Sequence, residues 1–148
     1  MTRLLPLAII LLLAGCAPAS HVLEGADGAL SFSPCERAPR CAVSLEDPGP
    51  GGDSVAALDG GQSAEQAHDN LLAVLGSMSG YRILSDDGRY VHAEFTTRLV
   101  RYKDDVEFLI RDDGSIDVRS SARIGWYDWE TNSKRVEALR AALAARIR

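Results

Sequence analysis

Three runs decide the fold: Tyr90-Val91-His92-Ala93-Glu94-Phe95-Thr96-Thr97-Arg98-Leu99-Val100, Asp105-Val106-Glu107-Phe108-Leu109-Ile110-Arg111, and Ser115-Ile116-Asp117-Val118-Arg119-Ser120-Ser121-Ala122-Arg123-Ile124. Each alternates apolar and polar residues, the period-two signature of a strand with one greasy and one wet face. Val91, Ala93, Phe95, Thr97 and Leu99 point one way in the first run; Val106, Phe108 and Ile110 do so in the second, and Ile116, Val118, Ser120, Ala122 and Ile124 in the third. A shorter run, Tyr81–Ser85, precedes them, and Asp86-Asp87-Gly88 and Asp112-Asp113-Gly114 carry hairpin chemistry. Connections this short make antiparallel neighbours, because a parallel crossover needs a longer excursion.

Working outward, Ser63-Ala64-Glu65-Gln66 has the form of a capping box. Ala67, Leu71, Val74, Leu75 and Met78 follow at helical spacing, and Gly76 and Gly80 bracket the stop. A last helix is predicted from about Thr131 to Ile147, with Val136, Leu139, Leu143 and Ile147 as its apolar stripe. Arg140, Arg146 and Arg148 suit the negative end of its dipole. Packing on the sheet fits this narrow stripe better than lying on a membrane, since the stripe has no Trp or Phe. The expected fold is therefore α+β: a four-stranded antiparallel meander with an N-terminal and a C-terminal helix on one face. A short run at Cys41–Leu45 is available as an extra edge strand, and Asp47-Pro48-Gly49-Pro50-Gly51-Gly52 ends it.

The polar side of the meander gathers the candidate site: His92, Glu94, Arg98, Asp105, Glu107, Arg119, Ser121 and Arg123. The plain alternative is a solvated sheet laced with ion pairs, each contributing at most about 1 kcal/mol. As a recognition surface, Arg98, Arg119 and Arg123 would grip a carboxylate or phosphate bidentately. An enzymatic reading, a hydrolase or transferase on an envelope component, would use Glu94 or His92 for proton transfer. Self-association through this face or the sheet edge is a third reading. No cofactor is expected, and a lone His92 does not organise a metal site. The connection Gly125-Trp126-Tyr127-Asp128-Trp129-Glu130-Thr131-Asn132 holds both tryptophans. They suit either hydrophobic closure of the corner or the wall of a ligand groove, with Asp128, Thr131 or Asn132 as helix caps; Asp128 and Asn132 complete the candidate binding set.

Tyr90-Val-His-Ala-Glu-Phe-Thr-Thr-Arg98, Asp104-Asp-Val-Glu-Phe108, Val118-Arg-Ser-Ser-Ala-Arg123 and Lys134-Arg-Val-Glu137, with Gly125, Asp128 and Asn132, form a set of motifs. The set resembles the bacterial and plastid family known as domain of unknown function 1499, from Cys35 to the last helix. Cys41-Ala42-Val43-Ser44, Trp126, Trp129 and Ser133 depart from the usual pattern. The resemblance implies a fold but no established activity. Its pattern is built from the polar-face residues, which favours a binding or assembly role for that face.

The start of the chain places the domain in the cell. Arg3 precedes the apolar run Leu4–Leu13 and then Ala14-Gly15-Cys16, the layout of an export signal. The run is short of the about 20 apolar residues needed to span a bilayer. Leu13-Ala14-Gly15-Cys16 also looks like a bacterial lipobox, which implies cleavage before Cys16 and acyl chains on it. Residues 1–15 then form the signal, 16–34 a tether and 35–148 one domain. Ala17 lacks the aspartate that retains lipoproteins at an inner membrane, so an outer membrane, facing the periplasm, is expected. Loss of Arg3 with the signal leaves 133 residues with 15 basic and 21 acidic side chains, a net of −6. That balance argues against nucleic acid as a partner; the partners expected are the membrane, through the lipid, and an envelope protein or small anionic ligand. Cys35 and Cys41 remain after lipidation, and in an exported chain they suggest a disulfide. Two free thiols or a metal ligand pair are the alternatives.

Overall fold

The structure is a computed structural model and describes residues 20–38, 40–124 and 130–148. In chain order its strands and helices are β1 (Val22–Glu24), β2 (Leu30–Phe32), β3 (Cys41–Val43), β4 (Gly52–Ser54), β5 (Leu58–Asp59), α1 (Ala64–Ser77), β6 (Tyr81–Asp86), β7 (Tyr90–Thr96), β8 (Lys103–Ile110), β9 (Ser115–Ala122) and α2 (Thr131–Arg146). The predicted meander forms β6 to β9, antiparallel throughout. The sheet is larger than four strands, however: seven strands run in the order β4-β3-β9-β8-β7-β6, with β5 also paired to β9. The added strands are three, three and two residues long, too short to show an alternation in the sequence.

Both β3 and β5 use the outer edge of β9, β3 at Arg119–Ser121 and β5 at Ser115–Ile116. Strands β3 and β4 are parallel, and the connection between them wraps the bridge that joins Cys35 to Cys41. The Cys35 N–H donates to Pro48 O at 2.6 Å. Two positions of the loop around this bridge require glycine. A Cβ on Gly51 would lie 1.9 Å from Glu36 O, and Gly49 has φ +85° with Cys35 O where a Cβ would stand. Both cysteines are buried, at 2% and 1% exposure. Replacing the two together by Ala is expected to lower unfolding free energy by about 2–3 kcal/mol, through loop entropy returned to the unfolded chain. Urea titration measures this, and an unchanged midpoint would contradict it.

Helix α1 is capped by Ser63, whose hydroxyl accepts from Gln66 N at 3.3 Å. The Gln66 amide reaches back to Gln62 N, at 2.8 Å, one residue earlier than the reciprocal bond of an ideal box. Ala67, Leu71, Val74 and Leu75 of α1 and Val136, Leu139 and Leu143 of α2 are buried. They pack with Val91, Val106, Phe108, Ile116 and Val118 into the main core. The arginines predicted to serve the α2 dipole also tie elements together. Arg146 Nε donates to Asn70 Oδ1 of α1 at 2.9 Å, and the Arg140 guanidinium donates to the carbonyls of Ala56 and Ala57.

Two expectations need correction. Within the stretch read as a tether, β1 and β2 pair as a hairpin, and Phe32 is 3% exposed. Phe32, Cys35, Cys41, Val43 and Leu109 build a second core on the face away from the helices, with Val22, Leu45 and Tyr90 packed against it. That face is thus partly roofed, and it is not simply wet. Strand β7 also stops at Thr96, where the register Thr96↔Lys103 reverses the chain. The alternation running on to Val100 lies in a turn, so Arg98 and Leu99 leave the sheet.

Candidate functional site

Register alone assembles the centre of the polar face. His92 stands opposite Glu107, which stands opposite Arg119; Glu94 stands opposite Asp105, which stands opposite Ser121. Each of these six side chains belongs to a residue that is 7% exposed or less. Such burial of ions demands partners, and they are present. Arg123 grips Asp105 with Nε and Nη2, both at 2.7 Å, and Glu94 with Nη1 at 2.8 Å. His92 Nε2 shares a 2.8 Å hydrogen bond with Asp105 Oδ1. Lys103 and Arg82 add to Glu94 Oε1 at 3.0 and 3.3 Å.

Glu107 is fully buried and takes its partners from the roof. The His21 backbone N–H donates to Oε1 at 2.9 Å, the His21 ring nitrogen lies 2.7 Å from Oε2, and the Tyr90 hydroxyl donates to Oε1 at 2.7 Å. Arg119 Nη1 lies 3.8 Å from Glu107 Oε2 and donates to Ser121 Oγ at 2.8 Å; its Nε is buried without a hydrogen-bond partner among the described residues. His21, Tyr90, Arg82 and Lys103 are the members of this centre that sequence reading missed. His21 sits in a stretch without periodicity, so only docking of the hairpin reveals it.

Burial alone would raise the proton affinity of Glu107, Asp105 and Glu94. The donors outweigh it in each case: His21 and Tyr90 at Glu107, Arg123 and His92 at Asp105, and Lys103, Arg123 and Arg82 at Glu94. All three carboxyls therefore titrate below their ordinary range. Burial lowers the Arg119 pKa, and nearby Glu107, Asp105 and Glu36 only partly restore it. Burial pushes Tyr90 the other way, well above an ordinary phenol. Because the folded carboxyl values lie below the unfolded ones, these groups add stability above the unfolded range and lose it as pH falls through the folded values. The urea midpoint is expected to hold between pH 7 and about 5 as far as these carboxyls contribute, then decline steeply towards about pH 3. A flat midpoint across the lower interval would contradict the network.

The remaining predicted residues lie elsewhere. Asn132 is on α2 and faces the helix side of the sheet, with its Oδ1 accepting from Ser120 Oγ at 2.8 Å and its Nδ2 donating to Arg40 O at 3.1 Å. Beside it, Arg135 Nη2 meets Asp104 Oδ2 at 2.5 Å, and the guanidinium lies over the Phe95 ring, 5.1 Å from its centroid. Asp128, Trp126 and Trp129 lie outside the described residues, as does Cys16. Arg98 is exposed in the turn between β7 and β8.

This turn borders a cleft of about 740 Å³ lined by Tyr81, Arg82, Glu94, Thr96, Arg98 and Arg101, among others. Thr97 closes the turn: its N–H donates to Tyr102 O at 2.9 Å, and its Oγ1 accepts from Tyr102 N at 2.8 Å. Arg101 sits at φ +58°, a conformation that costs a non-glycine residue about 1–2 kcal/mol. The guanidinium groups of Arg98 and Arg101 make no ion pair among the described residues, whereas Arg119 is buried in the sheet and Arg123, just past the end of β9, is committed to Asp105 and Glu94. Anion-gripping capacity thus sits at the end of the sheet and not on its centre. Glu94, surrounded by cations, is a weak base. Among the described residues no cluster of three or more His, Cys, Asp or Glu is arranged for a metal ion, and no helix is long and apolar enough to cross a membrane.

The model of the family described as "Protein of unknown function (DUF1499)" matches residues 31–143. No curated protein and no solved structure matches the chain.

Proposed function

The chain belongs to this family of unknown function, and we propose that it is a non-catalytic lipoprotein of the bacterial envelope that binds a small anionic ligand at the charged end of its sheet. Acyl chains on Cys16 hold it to a membrane, the outer one on its periplasmic side where the cell has two. The ligand carries a carboxylate or phosphate and enters the cleft beside Arg82, Arg98 and Arg101. The observation that carries this reading is the contrast between two sets of arginines. Arg119 is buried beside Ser121 and Glu107, and Arg123, though exposed, is engaged by Asp105 and Glu94, while Arg98 and Arg101 border an open cleft without carboxylate partners among the described residues.

The test is an NMR titration of the detergent-solubilised full chain with inorganic phosphate. Backbone resonances of Arg82, Thr97, Arg98 and Arg101 are expected to shift saturably, and the double substitution Arg98→Ala with Arg101→Ala to remove the response. Unmoved cleft resonances, or an equal response in the double variant, would overturn the assignment. Both substitutions are at exposed turn positions, so the variant is expected to fold.

A further inference from the structure

Among the described residues the four most exposed large apolar side chains gather at one end of the sheet, while Leu23, Leu30 and Ile83, on β1, β2 and β6, are exposed at 51%, 37% and 37%. Leu99 is 95% exposed, Val100 63% and Tyr102 53%, all in the β7–β8 turn, and Ile124 is 74% exposed. Arg123 N donates to Lys103 O at 3.2 Å, so the chain leaving β9 runs beside the start of β8 and brings Ile124 to the same end of the sheet. Arg98, Arg101 and Lys103 are interleaved with these residues, and residues 96–103 contain no acid although the whole chain is net −5. The opposite end of the meander holds the β6–β7 and β8–β9 turns, where Asp86, Asp87, Asp112 and Asp113 outnumber Arg89, which pairs with Asp112, and Arg111. The sheet is therefore polarised along its strands, greasy and cationic at one end and acidic at the other.

We infer that the β7–β8 turn is a membrane-docking tip: Leu99, Val100 and Tyr102 enter the interface of an anionic bilayer, and the arginine cleft behind them takes lipid headgroup phosphates. This names the ligand class of the cleft and rests on the reading proposed above. Apolar side chains flanked by cations suit the headgroup boundary, where burial of the former and attraction of the latter act together. The acidic turns then face away from the membrane, so repulsion orients the domain in the same sense. The anchor permits this pose. Glu107, to which His21 is bonded, lies roughly 14 Å along β8 from Lys103 at about 3.4 Å per residue. The chain from Cys16 to His21 reaches at most about 18 Å. Acyl chains on Cys16 and the tip can therefore occupy one bilayer surface.

The experiment uses the full chain purified from membranes and reconstituted into vesicles of phosphatidylcholine, with or without phosphatidylglycerol, containing lipids brominated on their acyl chains. An environment-sensitive fluorophore is placed on Leu99→Cys and, as the control, on Asp113→Cys at the acidic end. The expected result is quenching and a blue shift at position 99 in phosphatidylglycerol vesicles and neither at 113, with loss of the signal in Arg98→Ala, Arg101→Ala protein and at high salt. A label at 99 that stays as unquenched as that at 113 would overturn the inference. Quenching equal in pure phosphatidylcholine and indifferent to the arginines would overturn headgroup recognition. If position 99 stays dry of lipid while inorganic phosphate still shifts the cleft resonances, the small-ligand reading stands and only the membrane as its source falls. If phosphate also fails, both fall.

Discussion

Glu107→Ala is expected to lower the unfolding free energy by about 3–5 kcal/mol, the range for removing one partner of a buried ion pair. Glu107 has no exposure and is the common acceptor for the His21 N–H, the His21 ring and the Tyr90 hydroxyl. Its loss would leave Arg119, 5% exposed and already holding one unpartnered Nε, with a weakened counter-charge. It would also unfasten the N-terminal hairpin, which otherwise holds through Phe32 and the bond from Arg111 Nη2 to Leu30 O at 2.8 Å. Glu107→Gln retains acceptors for His21 N and Tyr90 but removes the charge, so its loss should be smaller. Urea unfolding of the two variants separates the effects. A cost below about 1 kcal/mol for the alanine would show the network to be no more than a surface pair. Loss of any cellular function in Glu107→Ala therefore reports unfolding before it reports binding.

Asp104→Ala is expected to cost about 3 kcal/mol or more, on the opposite face of the same strand. The Asp104 side chain is 6% exposed and that of Arg135 is 10%, and without the carboxylate the guanidinium keeps, among the described residues, Ser120 Oγ, Asn132 Oδ1 and the Phe95 ring. The pair links α2 to the sheet at the end where Phe95 closes the core, so near-ultraviolet circular dichroism should weaken with stability. The double replacement Asp104→Leu with Arg135→Met removes both charges and keeps their volume, and should recover most of the loss. Ser120 Oγ still donates to Asn132 Oδ1 in that background. If the double variant is as unstable as Asp104→Ala, the ion pair is not the cause.

These two pairs bear on why the family motifs look as they do. Asp104 and Arg135 both fall in motif segments, as do His92, Glu94, Asp105, Glu107 and Arg123, and the structure finds them in buried or half-buried ion pairs or, for His92, in a hydrogen bond to Asp105. Interlocking charges account for much of a pattern that otherwise suggests a binding face. Arg98 also belongs to a motif, yet it stands in the turn without a carboxylate partner among the described residues, which is why the proposed site centres there.

Alternation along β7, β8 and β9 was legible because a strand with one face on a core must repeat every second residue; the same rule placed His92, Glu94, Asp105, Glu107, Arg119, Ser121 and Arg123 on one side. Both helices were legible from their stripes for an equivalent reason. The local code had no means of announcing β3, β4 and β5, whose two or three residues are shorter than any period. Nor did it mark His21 as a partner of Glu107, since 86 positions separate them and only packing of Phe32 and the bridge of Cys35 to Cys41 brings the hairpin down. Periodicity ran through Arg98 and Leu99 because the first four turn residues, 97–100, happened to continue it, and only the register of β7 against β8 shows the chain reversing. Short-range pattern thus determines which way each side chain points, whereas whether that direction meets water, an ion or another segment is a property of the assembled chain.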